Sequence, residues 1–307
     1  MTASVKISGT WRNVSGYYVK ISGVWRTVSQ AYVKIGGTWR QWLSSTRAFT
    51  GLSNNYPDNK GAVGFGVYSN SVAVRFGGES PFSNLTYSSD LINSPSTWTS
   101  RTNYPTSTQG PFGDNLSGTI WGIAGYPATA SVYGLSSVSG SWTTGASCSS
   151  AYWHESTYSA TLGAIFKCGG FSSAVESFNG SSWTSRTSAP SSQGFGAVVE
   201  VGTRIYYFGG PGSESDSSSV YSYNASANNW TTETSQPTAT RRTYGTNLDG
   251  KIVELGGTNL STAYIYSGTG GSWSVGPSGS PGSSYTSGTV SGTAAYGSTG
   301  TYTWKYA

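Results

Sequence analysis

Between about residue 50 and the C-terminus the chain alternates short apolar runs with breaks rich in Gly, Ser and Thr, and the runs end on a recurring punctuation. "VAVRFGG" closes at Gly77, "TIWGIAGY" at Gly125, "AIFKCGG" at Gly169, "RIYYFGG" at Gly209, "KIVELGG" at Gly256 and "TAAYGS" at Gly297, with successive spacings of 48, 44, 40, 47 and 41 residues. Tryptophans keep the same beat: Trp98, Trp142, Trp183, Trp230 and Trp273 lie 44, 41, 47 and 43 residues apart. Two independent markers with one period indicate a repeat architecture. Within a unit the alternation reads as four strands. An apolar strand ("GFGAVVEV") meets a tight turn such as Asp249-Gly250, and a second strand ends at the glycines. A third ("SVYSYN") leads to a fourth around the tryptophan ("NNWTTET"). A four-stranded sheet this small cannot bury both faces, so neighbouring units must stack on it.

Tandem units of this length, with Gly-Gly after the second strand, an aromatic residue in the third and Trp in the fourth, resemble kelch repeats, which build β-propellers. The resemblance spans about 260 residues; it weakens at Gly125-Tyr126 and at Tyr296-Gly297. The chain ends complete it. Around Phe49, "RAFTGLSNNYPDNKGAVGFG" aligns with "SSWTSRTSAPSSQGFG", whereas the last unit stops at a third strand, "TYTWKYA". The expected fold is therefore all-β: a six-bladed kelch-like β-propeller over residues 45–307, closed by pairing of its N- and C-terminal strands, which leaves no open sheet edge. The recurring glycines and tryptophans are expected to serve packing, glycine through close backbone approach and tryptophan as filler between blades.

Ahead of the propeller stands a shorter repeat. "VKISGTWRNVSGYYVKISGVWRTVSQAYVKIGGTWRQW" is one phrase in three fourteen-residue copies, the last of them truncated. Within each copy two short strands flank Ser8-Gly9, Ser22-Gly23 or Gly36-Gly37, dipeptides suited to a two-residue hairpin turn. Such hairpins set Lys6 opposite Trp11 and Lys20 opposite Trp25. An isolated hairpin is marginal in water, so residues 1–44 read as an arm that gains its order from a partner surface, from copies of itself or from the propeller.

Charge sharpens the division. Seven basic residues and no acidic one lie before position 48, against ten basic and twelve acidic in the remainder. A positive arm on a near-neutral body suits docking to an acidic surface, and Lys6, Trp11, Arg12, Lys20, Trp25, Arg26, Lys34, Trp39 and Arg40 are its candidate anchoring residues. The plainer alternative is a solvated strand face. Nucleic acid is not the expected partner, because the Trp-Arg steps follow a structural repeat. No signal peptide and no run of about 20 apolar residues is present, so synthesis in a cytoplasm without membrane insertion is expected. Cys148 and Cys168 are too few for a disulfide framework, and with one histidine they make no four-ligand zinc site without carboxylates. No metal or cofactor is expected.

The form "aYVKIsGtWRqv" resembles repeats of structural proteins of tailed bacteriophages, where such repeats sit at one end of a chain whose other part is variable. That resemblance covers about the first 42 residues, and three copies give it weight. It implies a virion component, multimeric in the particle, whose arm contacts other virion proteins while the propeller is displayed. Its role would be a tail fibre or adhesin that attaches to a host-surface glycan, or else a capsid decoration protein.

Catalysis finds little foothold. Copper radical oxidases of the kelch-like propellers need two histidines, and only His154 is present. Sialidase propellers carry Ser-x-Asp-x-Gly-x-Thr-Trp boxes, which are absent. A glycan-active enzyme would need two carboxylates facing across a cleft, and no repeat position flags such a pair. The chain is therefore read as a binding protein rather than an enzyme, with a glycan-active propeller or an intracellular kelch-type scaffold as alternatives. Loops joining the fourth strand to the next blade, and those after the second strand, gather on one propeller face. There Tyr104, Trp153, His154, Arg241, Arg242 and Tyr285 are the candidate ligand contacts, since aromatic faces beside polar donors suit sugar rings. The alternative places these aromatics in the seams between blades. The serine-rich insertion "GPGSESDSSS" holds Glu214 and Asp216, read as solvated rather than as a calcium loop.

Overall fold

The computed structural model describes side chains over residues 58–276, apart from short gaps at 59, 61, 69–71, 80, 92–96, 211–213, 249 and 259. Strand backbones alone are described within 4–52 and 277–306. The chain divides into two compact units, Met1–Arg47 and Ala48–Ala307.

Among the described residues, the larger unit contains five blades, each of four consecutive antiparallel strands. The inner strands are Gly64–Val67, Phe112–Leu116, His154–Ser159, Gln193–Val201 and Tyr244–Leu248. Each is followed outward by a second strand (Val72–Phe76, Thr119–Ile123, Ala164–Gly169, Arg204–Pro211, Lys251–Leu255), a third and a short outer one. Neighbouring inner strands lie side by side, so the sheets converge on a common axis. Among the described residues there is no helix, and none long and apolar enough to cross a membrane.

The expected count of six is corrected to five blades of this kind. The last repeat supplies only three strands, Ser287–Ser291, Ala294–Thr299 and Tyr302–Tyr306, and these do not form a further blade of consecutive strands. They combine with Phe49–Leu52 in a composite sheet, with Tyr306 opposite Phe49 and Thr303 opposite Leu52. The two ends of the propeller sequence thus pair at the strand that the alignment around Phe49 indicates. Its side chains lie outside the described residues.

The repeat markers explain the packing. Apolar clusters lie between adjacent sheets: Ile123, Val132, Ile165 and Phe178 bridge the second and third blades, and Val199, Phe208, Ile252 and Tyr266 the fourth and fifth. The periodic indoles reach across the same seams. Trp142 donates to the Thr102 carbonyl at 3.2 Å, Trp183 to Ala146 at 2.8 Å, Trp230 to Thr187 at 2.9 Å and Trp273 to Thr234 at 3.0 Å. Each tryptophan fills a seam with its ring and satisfies its one donor on the chain entering the blade. At the turn between the first two strands, Asn115 and Asn247 perform a paired task. Each caps its own hairpin turn, at Gly118 and Gly250, while its amide donates to the preceding blade at Val67 (2.7 Å) and Glu200 (2.9 Å).

Charge is also buried in the seams. Lys167 is 1% exposed and meets Glu176 at 3.1 Å and the Ser149 hydroxyl at 2.9 Å. Arg75, fully buried, holds Asp58 at 2.5 Å and the Lys60 carbonyl at 2.5 Å, which ties the entry loop to the first blade. Cys148 and Cys168 are both free, one in the seam of the second and third blades and the other in that of the third and fourth.

In the smaller unit each repeat copy forms one hairpin: Ser4–Ile7 with Thr10–Asn13, Tyr18–Ile21 with Val24–Thr27, and Gln30–Ile35 with Thr38–Ser44. The registers set Lys6 opposite Trp11, Lys20 opposite Trp25 and Lys34 opposite Trp39. The side chains of the nine candidate anchoring residues lie outside the described residues.

Candidate functional site

Main-chain conformation marks one end of the axis. At the mouth of each inner strand one residue adopts left-handed backbone: Ala62 (φ 47°), Gly110 (60°), Trp153 (55°), Phe195 (60°) and Arg242 (58°). Glycine adopts this freely, whereas an L-residue there costs roughly 1–2 kcal/mol. The conformation is over-determined by hydrogen bonds that join successive blades. Gly110 N–H donates to Ala62 at 2.7 Å, Phe195 to Trp153 at 3.1 Å and Arg242 to Phe195 at 2.5 Å. The marker glycines belong to the same construction. A Cβ on Gly125 would stand 2.3 Å from the Thr108 hydroxyl and 3.1 Å from the Gln109 carbonyl, and one on Gly257 2.9 Å from the Arg241 carbonyl. The second strand ends on glycine because the mouth backbone passes directly against it.

Three of the five mouth positions carry large side chains, and these stack. The Trp153 and Phe195 rings are 4.8 Å apart, and the Arg242 guanidinium lies 5.1 Å above Phe195. Phe195 is 3% exposed, whereas Trp153 and Arg242 are half-buried. The Trp153 indole occupies the space a side chain at position 110 would need, only 2.9 Å from a Cβ built there. Glycine in the second blade is thus the seat of the tryptophan from the third.

An aromatic run leads outward from this stack over the loops of the first three blades. Phe195 meets Phe171 at 5.3 Å, Phe171 meets Tyr152 at 5.1 Å, Tyr152 meets Tyr126 at 5.6 Å, and Tyr126 meets Phe82 at 5.6 Å. At its outer end Tyr126 and Phe82 are 39% and 42% exposed, which presents apolar area to solvent rather than to a core. The loops are held side by side by backbone bridges from Ser83 to Thr108, Thr129 to Ala151, Ser172 to Gln193 and Ser217 to Thr240. The hydroxyls of Ser83, Thr129, Ser172 and Ser217 each accept from the main chain two residues on, the local turn such side chains favour.

Polar groups border the aromatic surface. Arg241 lies 3.9 Å from Asp216, whose carboxylate also accepts from the Thr258 hydroxyl at 2.5 Å. The serine-rich insertion is therefore fixed to the fifth blade through Asp216, and Glu214 is exposed. Glu79 is pushed up by burial and drawn back by the positive charge of Arg242, which places the two charges within reach of each other. Among the described residues no group of three metal-ligating side chains is gathered.

The sequence candidates divide. Trp153, Arg241 and Arg242 converge on this face. Tyr104 does not: it is 1% exposed, packed against Phe76 at 4.9 Å, Trp142 at 4.9 Å and Tyr133 at 5.3 Å, so it fills the seam of the first and second blades. His154 is likewise interior, 2% exposed and 6.1 Å from Phe112, and burial with the nearby Lys167 holds its pKa well below the ordinary value. It is a neutral seam residue. Tyr285 lies outside the described residues. Phe82, Tyr126, Phe171 and Phe195 escape the sequence reading. Of these, Tyr126 and Phe171 follow marker glycines directly, and that adjacency is the signal that could have found them.

No family model matches the chain, and no curated protein matches it in sequence. Among solved structures it is similar to that described as the structure of YjhT, with a TM-score of 0.67 and 11% sequence identity over 82% of this chain and 95% of the other. At that identity the likeness shows the β-propeller fold and nothing finer.

Proposed function

We propose that this protein is a non-catalytic binding propeller of a bacteriophage particle, held to other virion proteins by its N-terminal hairpins and displaying the propeller for attachment to a host-surface glycan. The observation that carries the binding half is the partly exposed aromatic surface from Phe82 to Phe171, which runs on to the buried Phe195 and is bordered by Arg241, Arg242, Asp216 and Glu79. Aromatic faces stack on the apolar faces of pyranose rings, while guanidinium and carboxylate groups at their edge answer hydroxyls. The particle half rests on the phrase "aYVKIsGtWRqv" and its resemblance to virion repeats, supported by three hairpins in one register. Each sets a lysine opposite a tryptophan, and two-stranded hairpins rely on further contacts for their stability.

Two measurements test the halves separately. Deleting residues 1–44 is expected to leave a soluble, folded propeller that no longer enters particles; a deletion that unfolds the remainder would make the hairpins part of the domain instead. For the propeller, the full chain is expected to bind host envelope polysaccharide without releasing reducing ends. Release that a single Glu or Asp substitution abolishes would make it an enzyme.

A further inference from the structure

The five mouth positions share one strained backbone conformation but not one residue type. Glycine fits the conformation and is used in the second blade, alanine is used in the first, and the third, fourth and fifth blades place Trp153, Phe195 and Arg242 there. Each of the three carries roughly 1–2 kcal/mol of backbone strain that glycine would relieve. Strain of this kind persists where the surroundings impose it, and it concentrates at functional sites. The imposed part is the backbone hydrogen bonding between blades at the mouth; the side chains are the part free to differ.

We infer that Trp153 and Arg242, which both pack on the buried Phe195 ring, form a subsite for an uncharged hydroxylated ring, a neutral hexose or N-acetylhexosamine unit of a glycan. This deepens the glycan reading and rests on it. Trp153, which is half-buried, supplies apolar ring surface against which a pyranose can pack. The guanidinium of Arg242 lies 5.1 Å from the Phe195 centroid, a cation–π distance, and brings hydrogen-bond donors to the edge of the aromatic stack. The charge inventory selects a neutral ligand over an acidic one. Arg241 faces Asp216 at 3.9 Å, and Arg242 is within electrostatic reach of Glu79, so among the described residues each of these two cations has a carboxylate to answer it, which weakens its pull on an anion. Balanced donors and acceptors instead match hydroxyls, which need both.

The test screens the full chain on an array of neutral hexose and N-acetylhexosamine oligosaccharides beside their uronate and sialylated counterparts, then titrates the strongest binder calorimetrically. Neutral oligosaccharides are expected to bind, with affinity nearly unchanged between low salt and about 0.5 M NaCl, where screening would strip an ion-paired ligand. Trp153→Gly and Arg242→Gly are expected to weaken binding at least about tenfold, and Ala62→Gly, at the equivalent position, to leave it intact. Melting temperature separates this from damage, because glycine relaxes the left-handed backbone; should W153G melt early, Trp153→Asn replaces it, as Asn tolerates that conformation. Acidic binders alone, or affinity that collapses with salt, would overturn the neutral subsite and leave glycan attachment standing. Neutral binding that both variants retain would place the sugar elsewhere on the propeller. No binding to any glycan, on the array or on host envelope, would remove both readings together.

Discussion

Replacing Glu254 with glutamine should make the propeller more stable at neutral pH, and the gain should grow as the solution becomes more alkaline. Glu254 lies in the second strand of the fifth blade, opposite Gly245 and Tyr264, and is fully buried. Burial pushes its carboxyl from 4.5 up to about 8, and only the Thr243 hydroxyl draws it back. In the unfolded chain the group ionises at its ordinary pKa, so between about pH 4.5 and 8 the unfolded state releases a proton that the native state keeps. The stability tied to this group is therefore complete below about pH 4.5 and is lost as pH rises toward 8, at about 1.4 kcal/mol per pH unit. At pH 7 the loss amounts to about 3 kcal/mol, or about 6 to 12 °C in melting temperature for a domain of this size. Glutamine does not titrate. Thermal melts of wild type and E254Q should diverge steadily from pH 6 to 8 and run parallel beyond. Asp114, pushed up to about 6 by burial against main-chain hydrogen bonds from Asn115 and Tyr158, is common to both proteins and drops out of the comparison. Glu155, raised well above its ordinary value by burial, acts in the same direction, but it is present in both proteins and cancels in the difference. Parallel curves from pH 6 to 8 would refute the reasoning, since they would mean Glu254 is ionised in the native protein.

Three further substitutions probe the packing. Gly125→Ala should cost about 3 kcal/mol in denaturant unfolding, since its Cβ would meet the Thr108 hydroxyl at 2.3 Å and the residue has φ 129°; a loss below about 0.5 kcal/mol would show that the loop yields. Lys167→Met should destabilise by about 3 kcal/mol by leaving Glu176 without its cation, and adding Glu176→Leu should restore most of the loss; a double variant no better than the single would mean the pair is not coupled. Trp230→Phe removes the indole donor held by Thr187 at 2.9 Å and should cost about 1 kcal/mol through the hydrogen bond, read from the shift in denaturant midpoint at unchanged slope.

What could be read from the sequence, and what could not, divides along a physical line. The glycine and tryptophan periods are legible because each position admits almost one residue type: Gly125 has no room for a Cβ, and Trp183 and Trp230 must both fill a seam and reach a carbonyl across it. The hairpins of the first unit are legible for the same reason, since their turn dipeptides and strand patterns fix the register. Periodicity overestimates the blade count because it counts repeats, whereas the last repeat has only three strands and pairs with Phe49–Leu52 in a composite sheet. Tyr104 was misplaced because a tyrosine in a proline-containing linker looks solvent-facing. Its true neighbour is a vacancy at Gly122, where a Cβ would stand 2.6 Å from the tyrosine ring, and a hole in one blade and the knob from the preceding linker leave no joint mark in the chain. The mouth of the inner strands escaped for the opposite reason to the glycines. Its conformation is imposed by hydrogen bonds between blades, so Ala, Gly, Trp, Phe and Arg all occupy it and no pattern forms. A repeat protein can vary its residues only where the scaffold is enforced by backbone rather than by side chains. The positions least visible to periodicity are therefore the ones at which ligand recognition can change without loss of the fold.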